Sequence, residues 1–295
     1  MCIRDSPPGM LQDPLGSQDL DAGFGDEANC SDRPFANDAG PDGCPQELGI
    51  LVHLLPFIEA NNVADLIEPS LSPDLLGDDG QNVGFWGDFN EAGGRSTRFA
   101  SLFKIPSFEC PSDPLDVTTN SFLALGTSSG LNPEHGINLT AVSRHAPIDV
   151  YGGEIGATNY VGVGGAVGEI VISSTPWAPF VGIFSNRSKT TFSNISDGSS
   201  NTFLMGEVTA KNSAWPTTGD SMSYAWIGNI VLPMNFWLID NCAPRDIHNF
   251  ASSHVGTVNF VRADGSVSAI SNNTDITIMR SLAGRADGMV LSVTQ

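Results

Sequence analysis

The sequence predicts an α+β fold that consists mainly of antiparallel β-sheet. The chain has 32 glycines and 19 prolines in 295 residues but few lysines and arginines, a composition that favours strands and long loops over helical bundles. Residues 257–270 carry strand-like runs on both sides of Asp264-Gly265. Residues 45–67 carry the best helical spacing of apolar residues. An apolar content of 40% is enough to bury a full core.

The segment from Pro45 to Ile67 is the best helix candidate. Pro45 suits the first helical position, and Pro56 is expected to end or kink the run. We predict that one side of this helix packs on the sheet, and that His53 is a partly buried packing residue rather than a ligand. The apolar positions with helical spacing are Leu48, Leu51, Leu54 or Leu55, and Ile58.

The C-terminal pattern predicts a tight β-hairpin. Asp264-Gly265 is typical of a two-residue type I′ turn, which needs a positive φ at both positions. Such a turn would pair Arg262 with Val267 and place one row of side chains on a buried face. That row consists of Val258, Phe260, Val267 and Ala269.

The N-terminal segment differs from the rest, so we predict two regions: residues 1–44 and a single globular domain over residues 45–295. The first six residues, MCIRDS, look like translated sequencing adapter, and we expect the natural N-terminus to lie upstream. Residues 12–44 are polar and predicted to be loop-rich and weakly ordered. Calcium at Asp19, Asp21, Asp26 and Glu27 is the alternative to a solvated loop, but the EF-hand spacing is lacking, so no cofactor is predicted.

Charge and cysteine spacing exclude several classes of function. A net charge of −20 repels phosphate backbones, which disfavours nucleic acid as a partner. No apolar run approaches the roughly 20 residues of a membrane helix. The five cysteines have no C-x-x-C spacing, which disfavours a zinc ribbon or a thioredoxin-like motif.

Two patterns suggest catalysis or metal binding but lack the required context. Residues 126–130 fit the G-x-S-x-G elbow with Ser128 as nucleophile, yet Asn132-Pro133 is a poor start for the helix that must follow. Ten residues separate His254 from Asp264, about 30 Å in an extended strand, so the two should not share a proton. His248 lacks further ligands at metal spacing near His254, so no metal site is predicted.

Several segments together resemble a bacterial family, the domain of unknown function 1559, whose members typically begin as type IV prepilin-like proteins. His254 followed after nine residues by Asp264-Gly265 resembles its H-X9-DG signature. FECPSDP at residues 108–114 is similar to its FLCPSDP turn, and NYVG at 159–162 to its SNYVG segment. Residues 182–207 resemble its GIF…ITDGTSNTIMVGE block, and LLPFIEANNVADLI its LLPYLEQ helix. The family's prepilin leader and long first helix are not found in this sequence.

The resemblance implies a pilin-like or pseudopilin-like head, with a sheet packed on an N-terminal helix and long irregular loops. It also implies a non-catalytic protein exported to the cell envelope, cell surface or exterior. Its role would be that of a subunit or accessory of a type IV pilus-like or type II secretion-like assembly, with other pilin-like subunits or envelope components as partners. Membrane contact would come only through the missing helix. The motif residues expected to be structural are His254, Asp264, Gly265, Cys110, Pro111, Asp113, Asp197, Gly198, Asn201 and Glu207.

The family block also leads to local predictions. Asp197, Ser200 and Asn201 are expected to hydrogen-bond their own loop backbone. His254 is expected to hydrogen-bond at the entrance of the hairpin rather than bind metal. Export would permit disulfides, and we predict one between Cys110 and Cys242, with Cys30–Cys44 as an alternative that could coexist. The expected core residues are Phe192, Ile195, Phe203 and Met205.

Two other functions remain open. The first is an extracellular module that binds glycans or other ligands through polar loops and exposed tryptophans at Trp177, Trp215 and Trp226. The second is a serine hydrolase that uses Ser128.

Overall fold

The computed structural model describes residues 49–67, 100–113, 120–128, 139–147, 156–166, 179–184, 190–209, 223–228, 231–232, 234 and 250–289. The architecture of these residues is mixed, with two mainly antiparallel sheets and few helices. The predicted preponderance of antiparallel sheet is confirmed. None of the described helices has both the length and the apolar character needed to span a membrane.

The strands form a four-stranded and a five-stranded sheet, in the orders β2-β1-β6-β3 and β7-β4-β5-β8-β9. Each sheet contains one parallel pair, β1 with β6 and β4 with β7, and the other pairs are antiparallel. The strand bounds are β1 Asn120–Ser128, β2 Leu139–Pro147, β3 Ala157–Thr158, β4 Tyr160–Val163, β5 Phe203–Glu207, β6 Ser223–Ala225, β7 Val231–Leu232, β8 Thr257–Arg262 and β9 Val267–Ser271.

In the described part of the predicted helix, residues 49–67, the first run ends just after Pro56, as expected, and a second short piece follows. A 3₁₀ helix spans Ile50–Phe57 and contains Pro56, and the α-helix α1 spans Asn61–Ala64. A proline within the run removes a backbone donor, and Glu59 adopts a positive φ of 61° between the two pieces. His53 is half-buried, as predicted. A second α-helix, α2 at Ile276–Ala283, was not predicted; the Asp275 side chain caps it by accepting from the Thr277 amide.

The hairpin forms between β8 and β9, but its register differs by one residue from the prediction. Val261 pairs with Val267, and Phe260 pairs with Ser268. The Gly265 amide donates to Arg262 O and the Arg262 amide to Ser266 O, so the loop has three residues. Gly265 has a φ of +86°, whereas Asp264 has no positive φ, which fits a type I turn followed by a bulge rather than type I′.

The extra loop residue decides which side chains are buried. Val258 and Phe260 on β8 are buried, as predicted, at 5% and 1% exposure. Val267 is 67% exposed, and Ala269 is also exposed, so their predicted burial is wrong. A shift of one residue turns every side chain of a strand to its opposite face.

The hairpin tip rests on the loop that precedes β5. The Ala263 amide donates to Thr202 O, and the Asp264 amide donates to Ser199 O. Arg262 adds a bond from Nη1 to Ser200 O at 2.7 Å, and its guanidinium lies over the Phe203 ring. The loop that follows Asp197-Gly198 and the Asp264-Gly265 turn, which are distant in the sequence, are therefore joined by hydrogen bonds.

The core lies on β5, β8 and the segments that pack on them. Phe203 stacks on Phe260 with ring centroids 4.3 Å apart, and Phe250 contacts Phe260 from another side. Phe203 and Met205 are buried, as predicted, whereas Ile195 is only half-buried and packs against the core, and Phe192 is 49% exposed. Phe192 begins a short 3₁₀ helix at Phe192–Asn194 instead of a strand, which leaves its ring at the surface.

Candidate functional site

Three side chains from three separate motifs meet at one end of the five-stranded sheet. Cys110 follows the 3₁₀ helix Pro106–Phe108, Glu207 ends β5, and His254 lies in the loop before β8. His254 Nε2 lies 3.7 Å from Cys110 Sγ and 3.6 Å from Glu207 Oε1. Their donor atoms all lie within 4.8 Å of one another. We call this group the Cys110–Glu207–His254 cluster.

Asn159 holds the Cys-Pro-Ser-Asp turn against the sheet. Asn159 is fully buried, and its Oδ1 accepts from the Cys110 amide at 2.8 Å. Its Nδ2 donates to Asp113 Oδ2 at 2.9 Å and to Val208 O at 3.0 Å. Asp113 is also buried, and its Oδ1 accepts from Ser253 Oγ at 2.9 Å. This network fixes the turn that carries Cys110 to the loop that carries His254.

Glu207 is 1% exposed, and its two oxygens have different surroundings. Oε2 accepts from Asn259 Nδ2 at 3.1 Å and from the Asn259 amide at 3.3 Å. Oε1 has no hydrogen-bond partner, and His254 Nε2 lies beside it at 3.6 Å. A buried carboxylate oxygen without a donor has a free-energy cost, which a ligand or a cation bound to Oε1 would reduce.

Burial raises the pKa of two side chains at this site, Cys110 and Tyr160. Burial, followed by the adjacent Glu207 carboxylate, raises the pKa of the Cys110 thiol. The backbone amides of Ser112 and Asp113 act in the opposite direction because they donate toward the sulfur and stabilise a thiolate. The pKa of Tyr160 is also raised, first by burial and then by negative charge on Cys110 and Glu207. Tyr160 therefore borders the same cluster.

The cluster has the donor chemistry of a metal site, and its buried thiol differs from that of a typical cysteine nucleophile. Cys110 is 4% exposed and its pKa is raised, whereas a catalytic cysteine needs a low pKa and access to substrate. A thiolate, an imidazole and a carboxylate are the three ligand types that proteins use for zinc.

The remaining motif residues serve the fold. The Asp197 carboxylate accepts from the amides of Asp287 and Gly288, so it holds the segment after α2. The prediction that it hydrogen-bonds its own loop is therefore wrong. Asn201 Nδ2 does donate to the loop backbone, at Asp197 O, as predicted. Gly198 has a φ of +96°, which favours glycine.

Asp264 accepts from both the amide and the hydroxyl of Ser266 and thereby stabilises the hairpin turn. These bonds lower the pKa of its carboxyl. Pro111, at the second position of the Cys-Pro-Ser-Asp turn, is exposed. Ser200 takes part through its main chain rather than through its side chain as predicted, because Ser200 O accepts a hydrogen bond from Arg262.

One prediction about the site residues is wrong: Cys110 is a free, buried thiol, so the predicted Cys110–Cys242 disulfide is not formed. The His254 ring lies within hydrogen-bonding distance of Cys110 Sγ and beside Glu207 Oε1, which is in keeping with the predicted hydrogen-bonding role before the hairpin. Cys242, His248, the Cys30–Cys44 pair and the acidic residues at 19–27 lie outside the described residues.

The structure also describes some of the residues on which the two alternative functions depend. Trp226 is fully buried, and its Nε1 donates to Phe103 O at 2.8 Å, so the prediction of an exposed ligand-binding tryptophan is wrong there. Trp177 and Trp215 lie outside the described residues. Ser128 is the last residue of β1, and the positions after it, where the elbow needs a helix, are likewise outside them.

Sequence reasoning did not identify Asn159, Ser253, Asn259 or Tyr160 as parts of the site. Asn159 and Tyr160 belong to the NYVG segment at residues 159–162. The polar Asn159 next to an apolar strand pattern was a signal that could have identified it as a buried, hydrogen-bonded residue. Asn259 lies between Val258 and Phe260 in β8, so the alternation of side chains assigned it to the face of the strand opposite the buried one, and it was not considered as part of a site. No local pattern distinguishes Ser253 from an ordinary loop serine.

A family model matches most of the chain. The family model described as "Protein of unknown function (DUF1559)" matches residues 14–277. No curated protein and no solved structure gives a significant match.

Proposed function

We propose, from the premise that this chain belongs to the DUF1559 family, that it is a non-catalytic exported protein of the bacterial cell envelope or surface. Its finer role is that of a pseudopilin-like subunit or accessory of a type IV pilus-like or type II secretion-like assembly. The premise supports the proposal because members of this family typically begin as type IV prepilin-like proteins. The net charge of −20 is in keeping with an exported, solvated surface.

The observation that carries the non-catalytic reading is the use made of the motif carboxylates. Asp113 accepts from Asn159 and Ser253, Asp197 accepts from two backbone amides, and Asp264 accepts from Ser266. Carboxylates with these partners hold chain segments together, whereas a general acid or base must face a substrate.

A surface-shaving experiment tests this proposal. Antibodies against the purified domain would be used on intact cells of the source bacterium, before and after protease treatment and mechanical shearing. We expect protease to remove the protein from intact cells while a cytoplasmic control protein survives, and we expect the sheared filament fraction to contain it.

The fractions distinguish the alternatives. Protein on the surface but absent from sheared filaments would contradict the assembly role and favour the extracellular binding module. Protein that resists protease until the cells are lysed would contradict export itself.

A further inference from the structure

We propose that the Cys110–Glu207–His254 cluster binds one Zn²⁺ ion through Cys110 Sγ, Glu207 Oε1 and His254 Nε2, with a water molecule as the fourth ligand. The site goes beyond the proposed envelope function. It would join the Cys-Pro-Ser-Asp turn, the end of β5 and the loop before β8 through one ion.

The spacing of the donor atoms agrees with a tetrahedral ion. Zinc lies about 2.3 Å from sulfur and about 2.0–2.2 Å from nitrogen and oxygen, so tetrahedral ligands are separated by about 3.4–3.6 Å. The separations of His254 Nε2 from Cys110 Sγ and Glu207 Oε1 are 3.7 and 3.6 Å. All three pairs lie within 4.8 Å, so a small inward movement completes the geometry.

Glu207 supplies an independent reason to expect a cation. Its Oε1 is buried without a hydrogen-bond partner and lies beside the other two donors. Zinc binding releases the proton of the Cys110 thiol, and the two positive charges of the ion then offset the resulting thiolate and the buried Glu207 carboxylate.

The surrounding residues orient the ligands before any ion arrives. Asn259 holds Glu207 Oε2 through two bonds, which leaves Oε1 directed to the cluster. Asn159 Oδ1 accepts from the Cys110 amide, and the Asp113 amide donates to Cys110 O at 3.0 Å, so the backbone that carries the thiol is held on both sides. Such outer partners usually hold metal ligands in position. The His254 side chain is 36% exposed, which leaves a path for the ion and for the water.

The choice of zinc follows from the ligand set. One sulfur, one imidazole nitrogen and one carboxylate oxygen suit a borderline-soft ion, whereas calcium and magnesium prefer sites made only of oxygen. Calcium is therefore the appropriate competitor, because it should occupy surface carboxylates of this acidic chain but not the cluster.

The test uses the full chain, stripped with a chelator and titrated with Zn²⁺ by calorimetry in excess Ca²⁺, and with Co²⁺ by absorption spectroscopy. A second preparation replaces Cys2, Cys30, Cys44 and Cys242 by serine, so that any thiolate-to-cobalt charge-transfer band must come from Cys110. We expect one zinc per chain in both preparations, and a charge-transfer band with visible bands of four-coordinate cobalt in the second.

Three variants test the ligands one at a time. Cys110→Ser should abolish the charge-transfer band. Glu207→Gln and His254→Asn keep the approximate size of the side chain and should each weaken zinc binding by at least about 100-fold, beyond the 10–100-fold typical of an outer partner. Asn259→Ala should fall within that smaller range. Matched controls, Glu59→Gln and His53→Asn, make the same chemical changes outside the cluster and should leave affinity unchanged.

Folding is checked by circular dichroism, and the near-isosteric variants keep the test informative if Cys110→Ser is unstable. A folded single-cysteine protein that shows no charge-transfer band with Co²⁺ would overturn the proposal. So would zinc binding that calcium displaces, or zinc binding that survives Glu207→Gln and His254→Asn unchanged.

Discussion

Replacing Asn159 by aspartate should destabilise the protein far more than its near-isosteric character suggests. The change leaves the acceptor for the Cys110 amide in place but removes the Nδ2 donor to Asp113 Oδ2 and Val208 O. Each buried acceptor that loses its donor costs about 1–3 kcal/mol. The new carboxylate would also face Asp113 where the present bond measures 2.9 Å. We therefore expect a loss of at least about 3 kcal/mol near neutral pH.

Urea unfolding with linear extrapolation measures this loss, with an osmolyte added if the variant is unfolded in buffer. Asn201→Asp is the matched control, because Asn201 is exposed and its Nδ2 donates to a single backbone oxygen. The control should change the free energy of unfolding by less than about 1 kcal/mol. The destabilisation at Asn159 should shrink in acid, since a protonated carboxyl can again donate. A loss at Asn159 no larger than that of the control would refute the buried network.

Three further changes test other parts of the fold by thermal or urea unfolding. Gly265→Val should cost more than about 1 kcal/mol, because Gly265 has a φ of +86°; an unchanged midpoint would contradict the turn. Gly206→Ala should cost about 1–3 kcal/mol, since the added methyl would lie 2.6 Å from Phe260 Cε1 and also clash with the Phe250 ring; a neutral result would mean that these rings are not packed there. Asp287→Asn should stabilise slightly at neutral pH, by less than about 0.5 kcal/mol after solvent screening. Burial, then the nearby Asp197 charge, raises the folded pKa of Asp287, so the native protein loses stability as pH rises from the unfolded to the folded pKa of this carboxyl. The stabilisation by Asp287→Asn should therefore vanish below that pH window. A stabilisation that grows in acid would contradict this sign.

Local chemistry in the sequence predicted much of the fold. The alternation at residues 257–262, the glycine at position 265 and the apolar row of β5 all report on neighbours close in the chain, and they were found. The register of β9 was missed because a two-residue and a three-residue loop share the Asp-Gly signal, and one residue reverses the face of the strand. The long helix was overestimated because helical spacing does not show how far Pro56 disrupts the run.

The candidate site was harder to predict because its members come from distant segments. Cys110 and Glu207 are separated by almost a hundred positions, and no periodicity links them to His254. The motifs pointed to all three residues but not to their meeting. Only the pairing of β4 with β5 and of β5 with β8 brings them together. For the same reason, a Cys110–Cys242 disulfide could be inferred from compartment and position although the thiol is engaged elsewhere.

The central claim is that these distant motifs converge on one buried cluster, and it can be tested without any metal. Nuclear Overhauser spectroscopy on protein labelled selectively at cysteine and histidine would compare the Cys110 β-protons with the His254 ring protons. With Sγ and Nε2 separated by 3.7 Å, we predict a direct cross-peak that disappears in His254→Asn and persists in His53→Asn. Assigned, well-resolved resonances for both residues with no cross-peak between them would contradict the account.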